Sequence, residues 1–364
     1  MSRDIEIIGD GCAALSFAAR ADEVNGNVTL IRPNNAPEAK DHVWGFWSDP
    51  LLLEAKTMAK QTWHKWAIIT HDEKAVLGSE TKPYNAFKRS EWMDHCHSLA
   101  ESSGVKIIDQ KDWVKSENSL LFDTRPPVVP VGCVLQHFRG IEIRTAEAKF
   151  DPNIAILMDF RVDQSKGMHF IYLLPYSESE ALVESTIFSP NLVDSQYYLD
   201  SIDTYLAQHH QVTDYSITHE ENGVIPLGKL SPHDVQIPGL GGNGGAIRPA
   251  SGYAFLFIQR QIDTAIEQTK RGKALAFTNP HKKLDLWMDS VLLTVLKQWP
   301  EQGPTMFLRM AKALTGDQFV NFLSGDAGLW TKLKVIFAMP KWPFIKAVTK
   351  QILPKRKATK PVVA

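Results

Sequence analysis

The stretch Leu182-Val183-Glu184-Ser185-Thr186-Ile187-Phe188 sets a single carboxyl among apolar and small polar neighbours. Its β-branched and aromatic content predicts a strand over residues 181–188, with Leu182, Glu184, Thr186 and Phe188 on one face. If that face is buried, desolvation keeps the Glu184 carboxyl protonated at neutral pH, the state a general acid needs. The same residues also suit an exposed strand glutamate or half of an ion pair. Glu220 and Glu221 precede Gly223-Val224-Ile225-Pro226-Leu227, either as a second carboxyl near a substrate or as solvated charges at a strand end. Asp159 and Arg161 alternate along Met158-Asp159-Phe160-Arg161, so they share a face and either pair with each other or help line a pocket. The 12 histidines are scattered, and His209-His210 lacks metal-ligand spacing, so no metal site is expected.

A second kind of chemistry is written at the start of the sequence. Ile5-Glu6-Ile7-Ile8 runs into Gly9-Asp10-Gly11-Cys12-Ala13-Ala14, and a small-residue helix follows. This is the strand–turn–helix context of a dinucleotide fingerprint. Gly9 permits the tight turn, Gly11 lets a pyrophosphate approach the backbone, and Ala14 lets the helix lie close on the strand. A tight βα turn without a ligand is the alternative. After the next predicted strand, Val28-Thr29-Leu30-Ile31, the fingerprint expects an acid for a ribose hydroxyl, but Arg32 stands there, able to meet a phosphate or stack on adenine. A second glycine cluster, Gly239 to Gly245 with Gly244 and Gly245 adjacent, leads through Pro249 and Gly252 into a helix, again a shape for backbone contact with a ligand.

The elements that must position these residues predict an α/β (α+β) fold. A Rossmann-type nucleotide domain is assembled from residues 1–60, 88–133 and 237–275. A β-rich substrate domain comprises 61–87 and 134–236, and helices fill 276–364. Helices are expected over 87–100, 192–209, 284–298, 305–314, 318–323 and 329–338. Short strands are expected at 134–144, 154–158, 168–174, 181–188, 212–219 and 223–227. Asp41-His42-Val43-Trp44-Gly45-Phe46-Trp47 sits among loop signals; Trp44 and Phe46 belong to a buried connection or to the aromatic wall of an apolar pocket. Cys12, Cys96 and Cys133 are widely spaced, which argues against a disulfide framework or zinc site and fits a reducing compartment. With a strand beginning almost at once, no signal peptide is expected. No apolar run reaches the ~18 residues a membrane-spanning helix needs.

Several stretches, in order and spanning nearly the whole chain, resemble the lycopene β-cyclase family, in particular its bacterial members. They include Ile5 to Ala14, Asp41 to Trp47, Phe122-Asp123-Thr124-Arg125, Leu135 to Gly140, Met158 to Arg161, Leu174-Pro175-Tyr176, Leu182 to Thr186, Gly223 to Gly228, and Gly244 through Tyr253. The resemblance implies a flavoprotein that needs reduced FAD, with NAD(P)H as ultimate reductant, and a reaction without net redox change. A ψ end of lycopene is protonated, the carbocation is attacked by a nearby double bond, and loss of a ring proton leaves a β-ionone ring. It implies that Glu184 is the essential acid, with Ser185 departing from the family's second Glu. It places Gly9, Gly11, Ala14, Arg32, Arg125, Gly244, Gly245, Pro249 and Gly252 at the cofactor, and Trp44, Phe46, Asp159, Arg161, Tyr176, Glu221 and Pro226 at the substrate pocket. A flavin-dependent isoprenoid reductase or monooxygenase, or a non-catalytic carotenoid-binding flavoprotein, are the alternatives.

Charge distribution points to the partner. The formal net charge is −1, yet residues 331–364 hold nine basic residues and no acidic one. Leu333, Ile336, Phe337, Phe344, Ile345, Val348 and Ile352 recur near helical spacing, edged by Trp330 and Trp342 and followed by Lys355-Arg356-Lys357. A basic, aromatic-edged amphipathic segment suits an anionic membrane surface. The expectation is a cytoplasmic enzyme held at the inner face of the cell membrane, taking lycopene or a related acyclic carotene and no nucleic acid.

Overall fold

The computed structural model describes residues 3–34, 36 and 40–352. Its first sheet is parallel, in the order β8 (Lys106–Asp109), β2 (Val28–Arg32), β1 (Ile5–Ile8), β9 (Leu120–Asp123). Helices α1 (Cys12–Ala18), α3 (Arg89–Ser102) and α5 (Phe255–Lys270) pack together beside it. Residues 13–18 of α1 are all buried, which the short side chains Ala13, Ala14, Ser16 and Ala18 allow. Ser16 Oγ accepts from Trp92 Nε1 of α3 (3.0 Å) and from Gln259 Nε2 of α5 (2.9 Å), joining the three helices at one hydroxyl.

The largest sheet has seven strands: β14 (Ser216–Leu227), β10 (Val134–Arg144), β13 (Glu180–Ser189), β12 (Met168–Pro175), β11 (Ile154–Asp159), β5 (Lys65–Ile69) and β6 (Lys74–Gly78). It is antiparallel except where β11 meets β5. Helix α4 (Ser195–His210) covers one face, burying Ile141, Ile171, Val183 and Tyr205. The other face shares a core with a three-stranded sheet, β3 (Val43–Trp47), β7 (Tyr84–Lys88) and β4 (Gln61–Trp63). Helix α2 (Leu53–Thr57) links β3 to β4. After α5, the chain forms α6 (Lys283–Gln298), α7 (Gly303–Ala313), α8 (Gly316–Leu323), α9 (Leu329–Ala338) and α10 (Lys341–Ile352). Two buried ion pairs tie this region together: Lys332 of α9 with Asp285 of α6, and Arg248 with Asp289 at 3.2 Å.

Four departures from the sequence-based expectations have local causes. Residues 43–47 form a strand, not a loop, because β7 supplies a partner from 37 to 45 residues downstream. Residues 61–87 divide between two sheets, β4 and β7 pairing around β3 while β5 and β6 extend the large one. The segments 212–219 and 223–227 fuse into β14, since Gly223 stays in register with Phe138, whose ring fills the space a Cβ would need (2.7 Å to Cζ). Helix α3 starts at Arg89, because Phe87 and Lys88 complete β7. The helix 329–338 falls where the spacing predicts, and Pro340 separates it from α10.

Candidate active site

Strand register brings the two carboxyls together. At one level of the large sheet, Glu221 of β14 stands opposite Gly140 of β10, Gly140 opposite Glu184 of β13, and Glu184 opposite Tyr172 of β12. Directly opposed residues project to the same face. Gly140 has no side chain to separate its neighbours: a Cβ there would lie 3.1 Å from Glu221 Cγ and 3.4 Å from Glu184 Cγ. The two glutamates meet over this gap, and the repulsion between their charges disfavours ionising both. Both are buried. Burial first, and then the neighbouring Glu221, push the Glu184 carboxyl well above its usual range, although Thr186 Oγ1 donates to Glu184 Oε1. Burial raises Glu221 to about 7, against the Val43 backbone N–H, which donates to its Oε2 at 2.7 Å.

Aromatic side chains roof the pair. The hydroxyls of Tyr172 and Tyr84 hydrogen-bond at 2.7 Å, above Gly45 of β3, where a Cβ would clash with Tyr84 Oη at 1.8 Å. Trp47 packs on Tyr84 with ring centroids 4.6 Å apart. One pleat further along β10, Glu142 takes both carboxylate oxygens to Lys60 Nζ at 3.2 Å and accepts from Tyr176 Oη at 3.1 Å. His219 Nε2 lies 3.9 Å from Glu221 Oε2. Among the described residues, no group of three or more His, Cys, Asp or Glu is placed to hold a metal ion.

Other residues implicated by sequence lie elsewhere. Asp159 and Arg161 form an ion pair at 2.6 Å on the opposite face of the large sheet, where Tyr205 of α4 donates to Asp159 at 2.8 Å. They are structural partners, and the sheet separates them from Glu184. Pro226 alternates with Ile225 and so points away from the carboxyl face. Trp44 and Phe46 lie on the far side of β3, against Phe87 and Phe255 (centroids 5.2–6.0 Å), while Gly45 and Trp47 face the carboxyls. Ser185 also faces α4, with Oγ 2.8 Å from His169 Nε2. The departure from a second Glu therefore falls outside the carboxyl cluster. Sequence reasoning missed Gly140, Tyr84 and Tyr172; an isolated glycine inside a long strand was the available signal for Gly140.

The nucleotide turn fits an FAD pyrophosphate. Gly9 has φ +121°, and a Cβ there would strike Thr124 Oγ1 at 2.0 Å. A Cβ on Gly11 would meet nothing within 4 Å, so the backbone beside the start of α1 is open to a ligand, and no side chain caps that end of the helix. Ala14 is fully buried. The second glycine loop lies directly on α1: a Cβ at Gly241 would be 2.4 Å from Ala13 Cβ. A Cβ at Gly244 would strike Gly239 O at 2.5 Å, and Gly245 and Gly252 have φ +82° and +68°. Pro249 opens the turn in which the Gly252 N–H donates to Arg248 O at 2.9 Å. The two arginines are engaged within the protein. Arg32 pairs with Asp10 of the glycine turn at 2.7 Å, and Arg125 with buried Asp123 at 2.8 Å.

Comparison with known proteins agrees with this architecture. A family profile described as lycopene cyclase protein matches residues 4–349. A lycopene beta-cyclase of Pantoea ananas is 22% identical, over 95% of this chain and 97% of its own. Among solved structures, a flavin-dependent brominase superposes with TM-score 0.61 at 13% identity, covering 97% of this chain and 99% of the brominase. A geranylgeranyl bacteriochlorophyll reductase-like protein of Thermoplasma acidophilum gives TM-score 0.58 at 13% identity, covering 95% and 98%. These structures share the Rossmann-like fold. With the match running from β1 into α10, the chain belongs to the lycopene cyclase family.

Proposed function

We propose that this protein is an FAD-dependent lycopene β-cyclase that converts the ψ ends of lycopene to β-ionone rings without net redox change. The observation that supports this reading most is the pair of buried carboxyls over Gly140, where burial and Glu221 push the Glu184 carboxyl well above its usual range. Glu184 donates its proton to the terminal double bond of the ψ end, the neighbouring double bond closes the ring, and the ring proton leaves to the carboxylate pair. Protons in and out balance, so the site is reset. Glu221, raised to about 7, is ionised often enough near neutrality to receive that proton. Trp47, Tyr84 and Tyr172 exclude water and offer aromatic faces to a cation.

The backbone around Gly9 to Ala14, with the Gly241–Gly244 turn laid on α1, would hold FAD. A flavin held there and reduced by NAD(P)H would supply negative charge that stabilises a carbocation. Anaerobic incubation with reduced FAD and lycopene tests the reaction: a cyclised isomer without stoichiometric flavin oxidation is expected, and a saturated or oxygenated product refutes it.

The substrate dissolves in bilayers, so the enzyme works at the inner face of the cell membrane. No described helix is long and apolar enough to cross one. Trp330, Phe337, Trp342 and Ile345 are 81%, 71%, 66% and 54% exposed on α9 and α10, beside Lys334, Lys341, Lys346 and Lys350. Lys355-Arg356-Lys357 lies outside the described residues. Co-sedimentation with anionic vesicles should fall at least tenfold when Trp330, Phe337 and Trp342 are all changed to Ser, and unchanged binding would remove this membrane contact from the account.

A further inference from the structure

A cavity of about 460 Å³ lies between α6, α7, α9 and α10, within the range of small-molecule sites. Leu292, Met306, Phe344 and Val348 line its middle. Four of the chain's nine methionines face it, Met288, Met306, Met310 and Met339, an adaptable lining for a long apolar guest. Of its charged wall residues, Arg248 and Asp289 are spent on each other, Arg248 also donates to the Phe322 and Leu323 carbonyls at 2.6 Å, and Lys341 donates to the Ile336 and Phe337 carbonyls. A polar ligand would find few free partners here.

The two ends of the cavity identify the occupant. At the inner end, Ala250 and Ser251 form the wall, and the next residue, Gly252, packs on Ile225 (a Cβ would lie 2.9 Å from its Cγ2). Ile225 shares a strand face with Glu221, two pleats away, and Tyr253 stands beside Tyr84. At the outer end, the wall residues Trp287, Phe337 and Ile345 are 43%, 71% and 54% exposed. That end coincides with the basic, aromatic patch of α9 and α10, where residues 329–352 contain no acid. One apolar core runs through both regions, joining Met306, Val291 and Ala250 to Phe170, Phe188 and Tyr84.

We propose that this cavity is a hydrocarbon-chain site, which takes the polyene from the bilayer and holds the part remote from the end being cyclised. The assignment of the guest as lycopene rests on the function proposed above; the cavity's preference for a long apolar chain does not. Phospholipid acyl chains share that chemistry, so the test separates them.

Leu292→Trp and Val348→Trp fill the cavity from α6 and α10 without touching the carboxyl cluster. A fluorescent conjugated fatty acid serves as the probe, with lycopene in detergent micelles and a short-chain phospholipid as competitors. Wild type should bind the probe and release it to lycopene. Both variants should bind it at least tenfold more weakly and cyclise lycopene at least tenfold more slowly, with flavin content and far-UV circular dichroism unchanged. Undiminished cyclisation in both variants overturns the proposal, as does release by phospholipid but not by lycopene. If wild type forms no ring, yet lycopene displaces the probe and the variants lose that displacement, the cyclase reading fails and the chain site stands.

Discussion

Glu184→Gln should slow lycopene cyclisation by about 10²–10⁴-fold, the range expected when a positioned general acid is removed. The amide keeps the size of the side chain and can still accept from Thr186, so the sheet and the flavin content should be unaffected. What is lost is a proton held by a group that burial and Glu221 keep from ionising. A second variant reaches the same chemistry from the backbone. Gly140→Val drives methyl groups into a space where even a Cβ would stand 3.1 Å from Glu221 and 3.4 Å from Glu184. It should part the carboxyls and reduce cyclisation at least tenfold with both glutamates present. Product quantification by chromatography against protein-bound flavin checks both. Cyclisation at the wild-type rate by Glu184→Gln would remove Glu184 from the acid role.

Stability carries the opposite sign. Glu221 sits at about 7 in the folded protein against an ordinary 4.5. Between those values the folded chain binds more protons than the unfolded chain, so stability falls as pH rises through this window. At 1.36 kcal/mol per pH unit, the cost at pH 8 is roughly 3 kcal/mol for Glu221 alone. Glu221→Gln removes that charge while its amide oxygen can still accept from the Val43 N–H. The variant should therefore be more stable than wild type at pH 8, by up to a few kcal/mol, and no more stable at pH 4.5. Thermal midpoints at the two pH values measure the difference. A gain of equal size at both would mean that the buried charge is not its source.

How much of this was legible in the sequence follows from the range of each signal. The glycine turn at Gly9 to Ala14, the alternation through Glu184 and the spacing of α9 are local, and reading them requires no partner. The carboxyl pair is not local. Glu184 and Glu221 lie 37 residues apart and meet only because both strands take register on Gly140. Whether a strand glutamate faces water or another carboxyl depends on that register, which the strand pattern alone leaves open. The same limit explains Asp159 and Arg161: alternation correctly puts them on one face, but which face α4 covers is a tertiary fact. It also explains Trp44 and Phe46. Their aromatic density was visible, while the strand pairing that turns them toward Phe255, and Gly45 and Trp47 toward the carboxyls, came from β7.

The central claim is that a protonated carboxyl of this protein starts a cyclisation with no net redox change. Its most direct test is a single anaerobic turnover of lycopene by enzyme equilibrated in D2O with reduced FAD, followed by mass analysis of the product. The account predicts a cyclised isomer carrying one deuterium for each ring formed, with the flavin still reduced. A ring without deuterium, or a product changed in mass by added hydrogen or oxygen, would contradict it.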